Sequence, residues 1–345
     1  MATAAHPPAS PGTRSASSDR GARRRSLGYR VRQSAIDVLA LFAVVQIGSV
    51  VYGLARPDAL AYTSFANVAT TLEAIPLVGI VALGVGVLMV AGEFDLSVGA
   101  NYVFSSILAA QVIQAGGNPF VAALVCLAVG AGIGALNGAI TLGLRIPSFI
   151  TTLGTTGIWT AATLLINGSG SIGFAPGSKA FKALTSGNAG VLAAEFGWFL
   201  VAGVLVWLLL QRHRVGNHLF AVGGNRQAAV ANGVRVNRVK LLAFTLSGMG
   251  AAVAGLLAAA RLGVVAPDAG RELPLQAIAA CVVGGLVLTG GRGTVLGIML
   301  GASLIYWIQD VLLLSGAPGF YLDAFVGTLI IAAAGMYEVM RGRRV

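Results

Sequence analysis

Two carboxylates, separated by a single residue, lie between two long apolar segments of this chain. The stretch LMVAGEFDLSVGA, residues 88–100, contains Glu93 and Asp95, and apolar residues continue on both sides. A carboxylate inside a lipid bilayer costs several kcal/mol unless it is paired, hydrogen-bonded or hydrated. The residue types allow two roles. Asp95 can cap the helix that starts after Ser97, or these side chains can line the path or the gate of a solute.

Other polar side chains occur within the neighbouring apolar segments and can take part in either arrangement. The alternative for any one of them is a plain hydrogen bond between helices, which contributes less than about 2 kcal/mol. The candidate residues for a pathway, a gate or a helix cap are Glu93, Asp95, Ser97, Asn101 and Asn137.

The composition is that of a chain embedded in lipid. Of the 345 residues, 56% are hydrophobic and only 10% are charged, and the mean hydropathy is +0.83. A soluble protein has about 25% charged residues. A membrane-crossing helix takes about 20 apolar residues. The sequence therefore predicts an all-α polytopic membrane protein with about ten transmembrane helices.

The order of segments along the chain divides it into a tail and a membrane domain. Residues 1–35 are rich in Ala, Ser, Pro and Arg, which predicts a disordered basic tail on the cytoplasmic side. The transmembrane domain is expected over residues 36–345. The predicted spans are 36–54, 73–91, 98–115, 120–144, 149–167, 196–211, 241–260, 275–289, 295–314 and 321–340.

The basic residues indicate the topology. Placing the N-terminus inside puts most of the 23 lysines and arginines in inner segments, above all in the tail, the loop 212–240 and the C-terminus. This distribution follows the positive-inside rule and predicts that both termini are cytoplasmic. The net charge of +11 therefore reflects membrane topology, and no nucleic-acid partner is expected. The loop 168–195 then lies outside, where a short surface helix is expected.

Glycine, cysteine and histidine suggest packing rather than chemistry. Gly130, Gly134 and Gly138 share one helix face, which predicts close packing inside the bundle. Cys126 and Cys281 lie in apolar runs and are interpreted as small core residues. The histidines lie in the tail or in the basic loop, so no metal site is predicted.

The inner segment 212–240, RHRVGNHLFAVGGNRQAAVANGVRVNRVK, is too long and too regular for a plain connector. Its middle predicts a short helix with an Asn cap at the start and a Gly at the end. Two interpretations remain open: the helix fits a groove on a partner protein, or it lies on anionic lipid. The residues of this helix and its flanks are Gly223, Gly224, Asn225, Gln227, Ala228, Ala229 and Gly233.

Four stretches follow one another in a distinctive order: GEFDLSVGA, LRIPSFITTLGT, GNHLFAVGGNRQAAVANGVRVNRVK and LQAIAACVVGGLVLTGGRGTVLGIMLGA. Together they resemble the ribose/xylose-type (monosaccharide) permease family of ABC importers, within the superfamily of branched-chain amino acid and sugar permeases. The resemblance covers residues 60–342. The chain departs from the family pattern at Glu93 and Phe94, where the family has Gly and Ile, and at Gln227, where it has Glu.

The resemblance implies a permease subunit of the bacterial inner membrane that imports a sugar or a sugar-like solute. It implies a cytosolic ATPase subunit, an external sugar-binding protein and a second permease, either a copy or a sister subunit, in the lipid bilayer. The short helix with its flanking residues, from Gly223 to Gly233, would couple the permease to the ATPase. Because the family has glycine at Glu93, we expect that side chain to face water or a basic group such as Arg145 or Arg292.

The chain lacks the residues for nucleotide hydrolysis. A phosphate-binding loop needs Gly-Lys-Ser/Thr, and none of the lysines (Lys179, Lys182 and Lys240) follows a glycine. The chain is therefore expected to be no enzyme and to hold no cofactor, with ATP bound by the partner subunit. The alternative hypothesis is an ion-coupled secondary transporter, in which Glu73, Asp95 or Asp310 would bind protons or sodium. Pentoses, hexoses, deoxysugars, polyols and furanones are all compatible as solutes.

Overall fold

The structure of the chain is a computed structural model. The predicted tail 1–35 and most of the predicted span 321–340 lie outside the described residues. The structure describes residues 39–40, 42–55, 62–189, 192–316, 318, 320–321, 324–328, 331 and 335.

Helices make up most of the described fold, as the composition predicts. The strands are two-residue pairs in the loops, β1 (Ile172–Gly173) with β4 (Val264–Val265) and β2 (Asn188–Ala189) with β3 (Leu192–Ala193). The helices are α1 (Phe42–Ala55), α2 (Phe65–Val90), α3 (Val98–Gln114), α4 (Pro119–Leu144), α5 (Ser148–Asn167), α6 (Lys179–Ser186), α7 (Ala194–Trp207), α8 (Arg214–Gly224), α9 (Arg226–Ala231), α10 (Val236–Leu262), α11 (Leu273–Val283) and α12 (Val295–Leu314).

Six of the described helices are long and apolar enough to cross a membrane. They are α2, α4, α5, α10, α12 and α7 together with the π-helical turn Leu208–Arg212 that continues it. The predicted all-α polytopic class is thereby confirmed. The helices α1 and α11 are apolar but shorter. Helix α3, which follows the turn at residues 92–97, has 17 residues.

The predicted span 275–289 is helical over only part of its length. Helix α11 ends at Val283, and Gly285 and Gly291 have φ angles of 84° and 74°, which an α-helix does not allow. The loop 284–294 that follows returns to the end of α2. There the Gly291 N–H donates a hydrogen bond to the Val90 carbonyl at 2.9 Å. This segment is therefore a short helix followed by an irregular loop.

Helix α2 is at the centre of the bundle, since 89% of an apolar stretch of 18 residues within it is buried. It contacts α7, α10, α11 and α12, and α10 also packs against α3 and α4. The closest of these contacts is between α4 and α10. A Cβ on Gly134 would lie 2.2 Å from the Phe244 carbonyl oxygen, and one on Gly248 would lie 2.2 Å from the Gly130 oxygen. The predicted packing of this glycine face inside the bundle is confirmed.

We expect Gly134→Ala to lower the thermal stability of the purified chain. The added methyl group overpacks the α4–α10 contact, and overpacking costs about 1–3 kcal/mol. Gly132→Ala is the matched control, because a Cβ on Gly132 meets nothing within 4 Å. The midpoints of thermal unfolding in detergent measure the effect, and equal midpoints for the two variants would contradict this packing.

Polar contacts gather at two ends of the bundle. At one end, Arg261 of α10 lies 3.3 Å from Glu73 of α2, and Asn188 donates to the same carboxylate. Val90, where α2 meets Gly291, lies at the other end, about 25 Å further along the helix at 1.5 Å per residue. The candidate residues for coupling and the Asp95 turn, defined as residues 92–97, are at this second end.

Candidate permease site

Asp95 is fully buried, and its carboxyl group links the start of α3 to α10. Its Oδ1 accepts hydrogen bonds from the Ser97 N–H at 3.0 Å and from the Ser97 hydroxyl at 2.6 Å. Its Oδ2 accepts a third, from the Ser247 hydroxyl of α10 at 3.2 Å. The Ser97 hydroxyl accepts in turn from Asn137 Nδ2 of α4 at 2.7 Å. The start of α3 is therefore tied to both α4 and α10.

The capping geometry differs in detail from the expected one. Ser97 is the N-cap residue of α3, and its own side chain makes no capping bond. Asp95 Oδ1 accepts a hydrogen bond from the N–H of Ser97, two residues later in the chain, and this contact forms an Asx turn. Its side chain does not accept from an amide in the first turn of α3. The predicted roles of Asp95, as a cap of α3 and as part of the solute pathway or gate, stay predictions.

The backbone of the Asp95 turn is held by side chains of α5. The Phe94 N–H donates to Ser148 Oγ at 3.1 Å, and the Leu96 N–H donates to Thr152 Oγ1 at 3.0 Å. The Thr156 hydroxyl donates to the Leu96 carbonyl at 3.1 Å. Thr152 and Thr156 are among the polar residues within the predicted spans that could line a path, but neither they nor Ser148 was a candidate site residue. Their spacing of four, which places them on one helix face, is the signal that could have found them.

Asn101 and Asn137 lie inside the bundle, and both are fully buried. Asn101 Nδ2 lies 3.2 Å from the Gly130 carbonyl oxygen and 3.3 Å from that of Gly248, so it bridges the close α4–α10 contact. Its Oδ1 accepts from the Ser105 hydroxyl at 2.7 Å. Asn137 Oδ1 has no hydrogen-bond partner among the described residues.

Glu93 forms an ion pair with Lys240 at the start of α10, and each side chain is about 14% exposed. The expectation of a basic partner is correct, but the partner is neither Arg145 nor Arg292. Helix α10 starts next to the end of α2, and the sequence gives no indication of this contact. Arg145 lines the same cavity as Glu93 without pairing with it.

We expect Glu93→Gln and Lys240→Gln each to lower stability, because each leaves one half-buried charge without its partner. The cost should be about 1–2 kcal/mol, between the values for surface and buried pairs. The exchanged variant, Glu93→Lys with Lys240→Glu, should recover most of this loss. Thermal unfolding in detergent gives the comparison, with the exposed Arg238→Gln as the control. A double variant less stable than both single variants would contradict the pairing.

The predicted short helix in the inner loop is confirmed as α9. Asn225 is its N-cap, and Asn225 Oδ1 accepts from the Ala228 N–H at 3.0 Å. Gly233 follows the helix with a φ of 78°, a conformation that favours glycine. Gln227 and Ala228 are exposed while Ala229 is buried, so α9 presents one face outward. The role of these residues in coupling stays a prediction.

The end of α8 approaches the backbone at the end of α2 closely at Gly223. A Cβ on Gly223 would lie 2.0 Å from the Val90 carbonyl oxygen and 2.6 Å from the Gly291 nitrogen. We call Val90, Gly223 and Gly291 the glycine junction. The neighbouring Gly224 has more room, since its nearest atom would be 4.0 Å away. The junction connects α9 to the residues that immediately precede the Asp95 turn.

The described residues form a bundle of helices that are apolar and long enough to span a membrane, with a buried polar network and a short exposed helix between two of them. This arrangement is typical of a multi-pass membrane protein. Sequence comparison identifies its kind. Residues 67–334 match the family described as the permease component of the branched-chain amino acid transport system, and the chain belongs to this family.

Similar proteins include permease proteins LsrC of autoinducer 2 import systems. The protein of Klebsiella pneumoniae subsp. pneumoniae is 37% identical, over 86% of this chain and 84% of its own length. The protein of Enterobacter sp. (strain 638) is 37% identical, over 79% of this chain and 78% of its own length. The protein of Photorhabdus luminescens is 31% identical, over 86% of this chain and 88% of its own length. No solved structure gives a significant match.

The chain is therefore a permease subunit of an ABC importer, a multi-pass protein of the bacterial inner membrane. The resemblance seen in the four stretches is confirmed, and the comparisons support this hypothesis and not the ion-coupled alternative. Permease components are not enzymes themselves, so hydrolysis of ATP belongs to another subunit of the importer.

Proposed function

We propose that this chain moves a sugar-like solute by alternating access, and that a separate ATPase drives it by docking on α9. The observation that carries the proposal is the connection between α9 and the Asp95 turn. The exposed face of α9 lies on one side of the glycine junction, and the buried Asp95 turn lies on the other. A movement of α9 would therefore reach the start of α3 through packed backbone.

An importer permease works with an ATPase and with an external binding protein. We further propose a second permease, either a copy or a sister subunit, and contact of the basic inner face with lipid. Coupling would involve Gly223, Gly224, Asn225, Gln227, Ala228, Ala229 and Gly233. The buried network of Asp95, Ser97, Asn101 and Asn137 would hold the helices that move, and Glu93 would tie that network to α10.

The proposed topology has about ten spans with both termini in the cytoplasm, preceded by the basic tail 1–35. The grouping of charges supports it. Arg145, Arg226 and Lys240 come from two segments assigned to the inner side, and they line one cavity. The pair of Glu73 and Arg261 is at the other end of the bundle, together with the loop 168–195 that contains α6.

For the solute, the relatives suggest where to begin. They are permeases of autoinducer 2 import systems, so autoinducer 2 is the first solute to test, alongside ribose and xylose. We propose a small sugar-like solute of this class. The external binding protein would set much of the selectivity.

The test is purification of the chain from its native membrane in mild detergent, followed by uptake measurements in reconstituted vesicles. We expect an ATPase with two nucleotide domains to purify with the chain. Solute uptake should require ATP and should be insensitive to an uncoupler. Uptake that persists without ATP and collapses when the ion gradient is removed would contradict the proposed function.

A further inference from the structure

A cavity of about 730 Å³ opens beside α9, at the end of the bundle that holds the glycine junction. Its wall comes from the Asp95 turn, the end of α4, the α4–α5 turn, α9 and the start of α10. The lining residues that matter here are Glu93, Arg145, Ile146, Arg226, Val236 and Lys240.

The charge inside this cavity is unbalanced. Three cationic side chains face a single carboxylate, and Glu93 is already paired with Lys240. Within the described part of the chain, neither Arg145 nor Arg226 forms an ion pair. The two guanidinium groups come from different elements and line the same cavity. A guanidinium presents a fixed fork of N–H donors that matches the oxygens of a phosphate group.

The backbone conformation of Arg145 also suggests a ligand site. Arg145 ends α4 with a φ of 57°, and among the described residues it is the single non-glycine with a positive φ. Glycine is the residue that adopts this conformation without strain. An arginine at this position is therefore a strained choice, of the kind that concentrates at ligand sites.

Part of the cavity wall is apolar, although Thr141 and Asn237 also line it. Apolar side chains are exposed on the surface next to it as well. Ile146, Pro147 and Val236 line the cavity beside the arginines. Leu144 and Phe149, on either side of the α4–α5 turn along the chain, are 67% and 52% exposed. A ligand that suits both parts carries a negative charge at one end and hydrocarbon at the other.

We propose that this cavity binds the phosphate group of an anionic phospholipid, held between Arg145 and Arg226, with the acyl chains along α4 and α5. The bound phosphate joins α9 to the end of α4 and leaves the ion pair of Glu93 and Lys240 intact. The inference places the lipid in the inner leaflet, and that placement rests on the topology proposed above. Binding itself depends on the cavity and not on the orientation.

The test is retention of lipid by the purified full-length chain, measured by native mass spectrometry. The probes are phosphatidylglycerol and phosphatidylcholine with the same acyl chains. The pocket variant combines Arg145→Asn with Arg226→Gln, since Asn tolerates a positive φ. The matched control combines Arg214→Gln with Arg238→Gln, which removes the same charge from outside the cavity. Because the assay uses detergent and no ATPase, it can fail or succeed independently of the proposed function.

We expect the original chain and the control variant to retain phosphatidylglycerol several-fold better than phosphatidylcholine, and the pocket variant to lose this preference. Millimolar inorganic phosphate should not displace the lipid. Equal loss in the control variant would show a diffuse attraction to charge and would overturn the site. Displacement by inorganic phosphate, or occupation of the cavity by an acidic segment of the ATPase in cross-linking, would overturn the assignment to lipid.

Discussion

Replacing Asp95 with alanine is expected to abolish uptake and to lower the stability of the chain. The substitution removes both acceptor oxygens, which leaves the Ser97 N–H and the hydroxyls of Ser97 and Ser247 without their partner. A buried polar group left unsatisfied costs about 1–3 kcal/mol. With several such groups at one site, the start of α3 should lose its link to Ser247 of α10 and be less firmly held there. Uptake in vesicles and thermal unfolding in detergent measure the two effects.

Asp95→Asn separates the structural role from a role of the charge. Asparagine keeps one side-chain oxygen that can accept from Ser97, and it forms Asx turns as aspartate does. In the described part of the chain no lysine or arginine pairs with Asp95, so removing its charge leaves no cation behind. We therefore expect the asparagine variant to retain most of the uptake and stability. Loss of uptake in a stable Asp95→Asn protein would show that the charge acts in the pathway or the gate.

The second large effect is expected at Gly223. A methyl group there would lie 2.0 Å from the Val90 carbonyl oxygen, so Gly223→Ala must separate α8 from α2 or from the loop at Gly291. Hydrolysis of ATP by the attached ATPase should continue. Uptake should fall about 5- to 150-fold, the range that corresponds to the cost of about 1–3 kcal/mol for an overpacked contact. The ratio of solute moved to ATP hydrolysed, measured in vesicles, reports the uncoupling.

Gly224→Ala is the matched control for Gly223→Ala. The two positions are neighbours on α8, but a Cβ on Gly224 would have its nearest atom 4.0 Å away. We expect this variant to keep its ATPase attached and to lose much less uptake than Gly223→Ala, because the added methyl group does not push the glycine junction apart. Equal uptake ratios in the two variants would show that the glycine junction does not transmit movement.

Much of the fold follows from composition and local pattern. The long apolar runs gave spanning helices such as α4 and α10, because twenty apolar residues have few alternatives in lipid. The cap at Asn225 and the positive φ at Gly233 were also readable, since both depend on residues within one helical turn. By contrast, α11 stops at Val283 because of glycines that a hydropathy average does not register.

The site was less predictable, because its contacts join residues far apart in the chain. Asp95 and Ser247 are 152 residues apart, and Glu93 and Lys240 are 147 apart. Periodicity places a side chain on a face of its own helix, but it does not say which helix lies opposite. The glycine junction is made of backbone atoms, so the sequence contains no side chain that could have indicated it.

The central claim is that an ATPase docks on α9, and site-specific cross-linking tests it most directly. The native cysteines, Cys126 and Cys281, are fully buried, so a single exposed cysteine can be labelled selectively. We predict that Gln227→Cys, on the exposed face of α9, cross-links to the ATPase in native membranes. The control Lys182→Cys, on α6 at the other end of the bundle, should not. A cross-link from Lys182→Cys, or none from Gln227→Cys while uptake continues, would contradict the account.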